Sequence, residues 1–514
     1  MKGKIKGLLP AIVLVILGGL VWISRPLWHW FFMYGYVNPA AWELLVIAII
    51  IGAQSYVIWF SHHKYSIWEI KAKEQAIVVF IAIFCLSGIL LGCFQVMYPQ
   101  CYLSQNLEVS EIVELPDMDP SAVRIMPMAV SQRYAVDALQ YPRHRLGTGD
   151  IAFVNKTPHW VYGLIPKGMV NFFVLKDKGA VYVDMSIAEK NTRIIERDME
   201  IGEGMGITDW YKWRLYKEKY WVNYEDPYFI PEGEELYIVV PIKSYEYHWR
   251  FPTFYTIPKW EGTVLIDSGA NIEFLTPEQA LEHPVLKDQK LFPEGLSRYY
   301  INSFRYVQGI SNRLFYHENQ LKIAEVLEQE NIQPFLIVTR EGMKWFIGCE
   351  PWGEETHGIF RIYLIDAREG KIQLFEQPKT ETLLGPVSAC DYVRKANPII
   401  DWSRMITVEP IPVVAQGKLY WQVKIIPNDA AGIAYTAMVD SKTYDAIELK
   451  SDESVRQFIE GRYTIKPGIP PEIARNVTAI VIIRDDGREI QRIEVFQNQT
   501  IEVVIPQVEL KTEK

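Results

Sequence analysis

The sequence predicts three N-terminal transmembrane α-helices followed by an α+β ectodomain of repeated antiparallel β-hairpin/helix units. Two observations carry this prediction. Apolar residues concentrate in three long runs before residue 98, and four later segments share one order of features. A third observation, 16 Trp and 29 Tyr in 514 residues, makes aromatic clusters the candidate binding surfaces.

The runs are GLLPAIVLVILGGLVWI (7–23), AWELLVIAIIIGAQSYVIWF (41–60) and AIVVFIAIFCLSGILLGCFQVM (76–97). Each is close to the roughly 20 residues that cross a bilayer as a helix. Trp22, Trp28, Trp30, Trp42 and Trp59 lie near their ends, where interfacial aromatics belong. Lys2, Lys4 and Lys6 precede the first run, and Lys64, Lys71 and Lys73 lie in 61–75, whereas 24–40 carries only Arg25. That distribution reads as a multi-pass protein of the cell membrane, with a cytoplasmic N-terminus and everything after residue 98 outside. Residues 1–23 read alternatively as a signal peptide, and its removal would leave this orientation unchanged. Gly18, Gly19, Gly52, Gln54, Ser87, Gly88 and Gly92 would permit close helix packing, as in an accessory subunit of a membrane complex.

A hydrophobic fraction of 49% with 22% charged residues is globular, and 514 residues exceed what one core organises. A net charge of −9 argues against a nucleic-acid surface. Cys349 and Cys390 are the one pair deep in the ectodomain open to a disulfide. No CxxC, HExxH, GxSxG or GxxxxGK[ST] occurs, so neither a metal nor a cofactor is expected. GEGMG at 202–206 lacks the lysine and spacing of a phosphate loop and reads as a flexible turn.

The repeated order is an aromatic-led strand running to proline, an insertion, a second strand ending in aspartate, a turn, and an isoleucine opening the next strand. Its markers are Trp160, Pro166, Asp184 and Ile194; Tyr237, Pro241, Asp267 and Ile272; Trp345, Pro351, Asp366 and Ile372; Trp421, Pro427, Asp440 and Ile447. Alternating β-branched and aromatic residues make a half-buried strand, and Asp before small residues forms a turn by accepting backbone N–H bonds. YWQVKIIPNDAAGIAYTAMVDSKTYDAIEL (420–449) and GIFRIYLIDAREGKIQLFE (358–376) resemble the PepSY domain, a small α+β module of prokaryotic cell surfaces. That resemblance implies a non-enzymatic module of inhibitory, chaperone-like or interaction type. The expected organisation is 1–97 anchor, 98–205 first unit, 206–290 second unit with an aromatic insertion, 291–378 third, 379–463 fourth, and 464–514 β-rich segment.

VLIDSGANIEFL (264–275) also resembles the catalytic loop of retroviral-type aspartic proteases, which would make Asp267 one of two carboxylates sharing a proton across a dimer. Its echoes at Asp184, Asp366 and Asp440 favour a hairpin turn. DWYKWRLYKEKYWVNYEDPYF (209–229) and EYHWRFPTFY (246–255) interleave rigid aromatics with charge, as interfaces do. Trp210, Trp213, Tyr220, Trp221, Tyr224, Trp249 and Phe254 are therefore candidate contacts, with packing between units as the alternative. The expected function is a non-enzymatic, membrane-anchored envelope protein whose repeats bind or scaffold a protein partner, with protease modulation one form of this. Its expected partners are the lipid bilayer and an envelope protein or further copies of the chain.

Overall fold

In the computed structural model the described residues are 15–60, 67–233, 235–325, 332–353, 358–378, 381–463, 479–483 and 489–494. Lys2, Lys4, Lys6, the start of the first apolar run, His62, His63 and Lys64 lie outside them. Residues 1–462 form one compact unit. In the separate unit 463–514, Ala479–Ile483 pairs antiparallel with Glu489–Glu494; the 464–478 linker, the Asp486-Gly487 turn and 500–506 lie outside the described residues.

The expected fold class is corrected on two counts. Among the described residues one stretch, Phe84–Asn106, is long and apolar enough to cross a membrane. Helix α1 (Val15–Val37) and Ala40–Gln54 of helix α2 (Ala40–Phe60) pass that test only as a pair bent by 88°. One span, or two if the bent pair counts as one, replaces three. The reason lies in the connection. A 3-10 turn at Arg25–Trp28 interrupts α1, and Asn38-Pro39 ends it, because proline lacks the N–H that would continue the ladder. Hydropathy counts apolar residues and is blind to such a bend. The third helix, α3, runs from Ile67 to Asn106.

The second correction concerns the α+β ectodomain of PepSY-like units. The body is β-rich, and the α-helices between its strands are short, from the six residues of Met169–Val174 to the eleven of Met128–Ala138 and Pro386–Ala396. Four sheets make up most of it. The first is a meander of His144–Val154, Thr157–Pro166, Gly179–Asp184 and Thr192–Glu196. The second centres on the long hairpin Glu235–Arg250 and Thr253–Ile266. In the third, Gly342–Pro351 pairs with Arg361–Asp366, and Val109–Ile112, just after α3, adds a parallel edge strand beside Ile372–Glu376. The fourth is a meander of Met405–Ala415, Lys418–Pro427, Tyr435–Asp440 and Ala446–Leu449.

The first sheet is buried on both faces. Strand side chains alternate, so Phe153, Trp160, Tyr162, Val181 and Val183 enter a core shared with the third and fourth sheets. Ala152, Val161, Ala180 and Tyr182 enter another, shared with the second sheet. Burial on both faces explains why VYV at 181–183 is continuously apolar.

Three charged groups are buried where the first, third and fourth sheets meet. Arg124 donates to Leu336 O (2.8 Å), and Glu409 accepts from Met128 N (2.7 Å). Lys424 is fully buried, and its Nζ makes no hydrogen bond among the described residues. Burial pushes its amine down to about 7, against the pull of Glu409. Folding then releases a proton between pH 7 and the ordinary lysine range, so stability rises with pH across that window. Lys424→Met should abolish this rise and raise the stability of the neutral-pH protein, where the buried amine is costliest. Denaturant titrations at neutral and alkaline pH, comparing variant with wild type, measure both effects.

Candidate functional site

Asp184, Asp267, Asp366 and Asp440 all sit at hairpin ends and point their carboxylates at their own turns. Asp184 accepts from Ser186 N (2.8 Å), Asp366 from Arg368 N (2.9 Å) and Glu369 N (3.0 Å), and Asp440 from Lys442 N (2.7 Å) and Thr443 N (3.0 Å). At Asp267, Oδ1 accepts from Asn271 N (2.8 Å) and Oδ2 from Asn271 Nδ2 (2.6 Å). Both oxygens are thus committed to the turn, whereas a proton-sharing dyad needs one turned to its partner.

The aromatic segment after 209 is mostly interior. Tyr211, Tyr216, Tyr224, Tyr228 and Phe229 are buried in the core between the first and second sheets, and helix α4 (Tyr211–Glu218) carries two of them. Trp210 and Trp213 are half-buried, and Trp221 is exposed. The outer side of the segment receives the chain's own residues 25–36. Arg25 donates to Lys217 O. His29 stacks on Tyr216 at 3.6 Å, and its Nε2 lies 3.0 Å from both Tyr220 O and Val222 O. Two carbonyl acceptors place a proton on that nitrogen. Tyr220 donates to Arg25 O (3.0 Å), and Trp221 packs on Tyr36. Trp249 and Phe254 lie exposed at the tip of the long hairpin.

A cleft that the sequence did not point to opens where the first three sheets converge. Its volume is about 310 Å³, and it is lined by Asp150, Glu225, Asp226, Lys290, Glu294 and the aromatic wall of Tyr228, Phe292 and Trp345. Lys290 is ion-paired with Asp150 and lies over the rings of Tyr228 (5.2 Å) and Trp345 (5.6 Å). Glu225 is ion-paired with Lys243. These pairs leave the Asp226 and Glu294 carboxyls, both exposed to the cleft, outside any ion pair among the described residues. Surrounding protein pushes the Glu294 carboxyl up, while Lys290 opposes the shift. Gly149 is required here, since a Cβ would lie 2.4 Å from the Tyr162 ring. A second cavity of about 330 Å³ lies between the body and helices α1 and α3, lined by Val37, Val96, Pro99, Tyr245, Tyr299 and Lys243. Gly295, near the start of helix α5 (Glu294–Asn302), borders both cavities. No local signal marks the cleft in the sequence, because its walls come from five separate segments.

The GEGMG loop holds a buried carboxyl. Asp177, fully buried, accepts from Glu203 N at 2.8 Å, so an amide that could cradle a phosphate is already used. Burial raises its carboxyl to about 7, and the Glu203 charge adds to the rise. Cys349 and Cys390 are buried free thiols. No group of three or more His, Cys, Asp or Glu side chains able to hold a metal occurs among the described residues.

No known family profile and no curated protein matches the chain. Among solved structures it is similar to Trypanosoma rangeli sialidase in complex with 2,3-difluorosialic acid, at 11% identity over 66% of this chain and 43% of that one, TM-score 0.17. It is also similar to a glycosyl hydrolase from Bacteroides ovatus, at 8% identity over 66% and 81%, TM-score 0.18. The chain spans about two fifths of the sialidase length. At these scores neither fold nor reaction carries over. The solved structures it is similar to are enzymes, which stands against the expectation of a non-enzymatic protein.

Asp177 supplies a measurable consequence. Its carboxyl titrates near 3.8 unfolded and about 7 folded, so the folded protein binds the extra proton between them and loses stability as pH rises through that window. Asp177→Asn, which keeps an acceptor for Glu203 N, should remove that loss and be the more stable protein above pH 7. Thermal unfolding of both proteins across the window checks it.

Proposed function

We propose that this is a cell-membrane protein whose extracytoplasmic body binds a protein partner through the acidic cleft between its first three sheets. The observation that carries the reading is the cleft's charge pattern. Lys290 and Lys243 are neutralised internally, while Asp226 and Glu294 remain open to the solvent beside an aromatic wall. Such a surface suits a Lys or Arg side chain from a partner, held by carboxylates and packed against rings. The cleft lies at the lower end of the size range of small-ligand sites, which fits one long side chain better than a large substrate. Support for placement outside comes from the lysines of 61–75 against the lone Arg25 of 24–40. The docking of residues 25–36 on the body gives it a fixed stance on its anchor, which a scaffold requires.

A photo-crosslinking residue at position 226 in intact membranes tests this reading. One predominant protein should be captured, and Glu294→Lys should reduce its yield about tenfold, the scale of one close charge contact at an interface. Rising salt should weaken capture in wild type. Capture of no protein, or a yield unmoved by Glu294→Lys, would remove the cleft from the binding surface.

A further inference from the structure

The long hairpin of the second sheet ends in YHWRFPTF (247–254), which is unusual for a turn facing water. Its inward side chains are spent on the anchor. Tyr255 and Ile257 are buried against Tyr98 and Leu103 of α3. Its outward side chains are large and bare: Trp249 is 61% exposed, Phe251 77% and Phe254 48%.

Polar contacts fix the height of this tip on the helices. Tyr98 donates to Phe251 O at 2.9 Å, and Gln95 donates to Thr253 Oγ1 at 3.2 Å. Glu43, in the first turn of α2, accepts from Thr253 Oγ1 at 3.1 Å and Phe254 N at 3.3 Å. The exposure of α3 changes at the same level. Leu86, Ile89, Leu90 and Val96 are exposed apolar residues, whereas Tyr98, Pro99, Gln100 and Cys101 are covered by the body. On α2, Leu45, Val46, Ile49 and Ile50 are exposed just beyond Glu43. The bare aromatics therefore stand where the apolar surface of both helices begins. Arg250, exposed at the tip, has its guanidinium 5.0 Å from the Tyr98 ring centroid.

The geometry points to a lipid-binding tip: Trp249, Phe251 and Phe254 enter the interfacial layer of the outer leaflet beside α2 and α3, with Arg250 at the level of the lipid phosphates. This rests on the membrane placement proposed above. Interfacial water is sparse enough to reward burying rings and polar enough to satisfy the indole N–H and the guanidinium. The occupant is lipid rather than a protein because the patch is continuous with helix surface that is itself apolar and uncovered. The tip is then a second attachment that holds the body against tilting about its anchor.

The test uses the full chain reconstituted in phosphatidylcholine vesicles, with Trp249 fluorescence taken as the difference between wild type and Trp249→Phe. Lipids brominated near the carbonyl end of the acyl chain should quench most of this signal, lipids brominated near the methyl end less, and aqueous iodide little. Quenching by iodide and not by bromolipid would put the tip in water and overturn the proposal. Quenching by neither would show a protein cover and overturn it equally. If alkaline carbonate strips the chain from the vesicles, the membrane placement itself fails; if the chain stays bound while iodide quenches, only the lipid-binding tip fails.

Discussion

Burial of the first sheet on both faces is the constraint on which the rest of the body depends. The sheet's odd and even side chains feed two different cores, so the second sheet and the third-and-fourth pair are each held through it. Close approach is written into its glycines. At Gly163 an added Cβ would meet Phe229 at 2.6 Å, so the second sheet packs directly on the backbone of the first. On the other face, the Tyr162 hydroxyl reaches Ser131 Oγ at 2.5 Å and ties the Met128–Ala138 helix to the sheet. Each fully buried large side chain contributes about 1.5–3 kcal/mol before entropy is charged against it, so truncating one here would weaken two interfaces at once.

The same arrangement explains how the body meets its N-terminal helices. Residues 25–37 are helical and engaged with the body, and their contacts draw on α4, the 219–222 turn and the long hairpin together. Thr256 Oγ1 donates to Val37 O at 2.7 Å and Tyr247 donates to Tyr36 O, while His29 occupies the carbonyls of Tyr220 and Val222. At the far side, Val109–Ile112 leaves α3 after a short connection and enters the third sheet. The N-terminal helices are thus joined to two sheets of the body through different elements.

Electrostatics extends from that cleft into the interior. Glu294 at the cleft and Arg124 in the core sense each other's charge, and Arg124 in turn feels Glu409. Low dielectric makes each uncompensated charge here costly, and the unpartnered Lys424 Nζ is the plainest cost. A core of this size could have been wholly apolar.

What the sequence determined by itself is local. Alternating residues ending in Asp and small or polar residues make a strand, a turn and a returning strand around Asp184, Asp366 and Asp440, because the carboxylate's hydrogen-bond partners lie two or three residues away. Apolar runs of helical length are equally legible. Their arrangement is not. Whether two apolar runs make two spans or one bent pair turns on Asn38-Pro39 and on the body that residues 25–36 meet. Whether Tyr216 and Tyr224 face a partner or a core turns on the first sheet packing over them. The cleft joins Asp150 to Lys290 across 140 residues, and Trp345 arrives from a third sheet. Turn and strand signals act over a few residues; which faces cover one another is settled only when the whole chain competes for the same apolar surface.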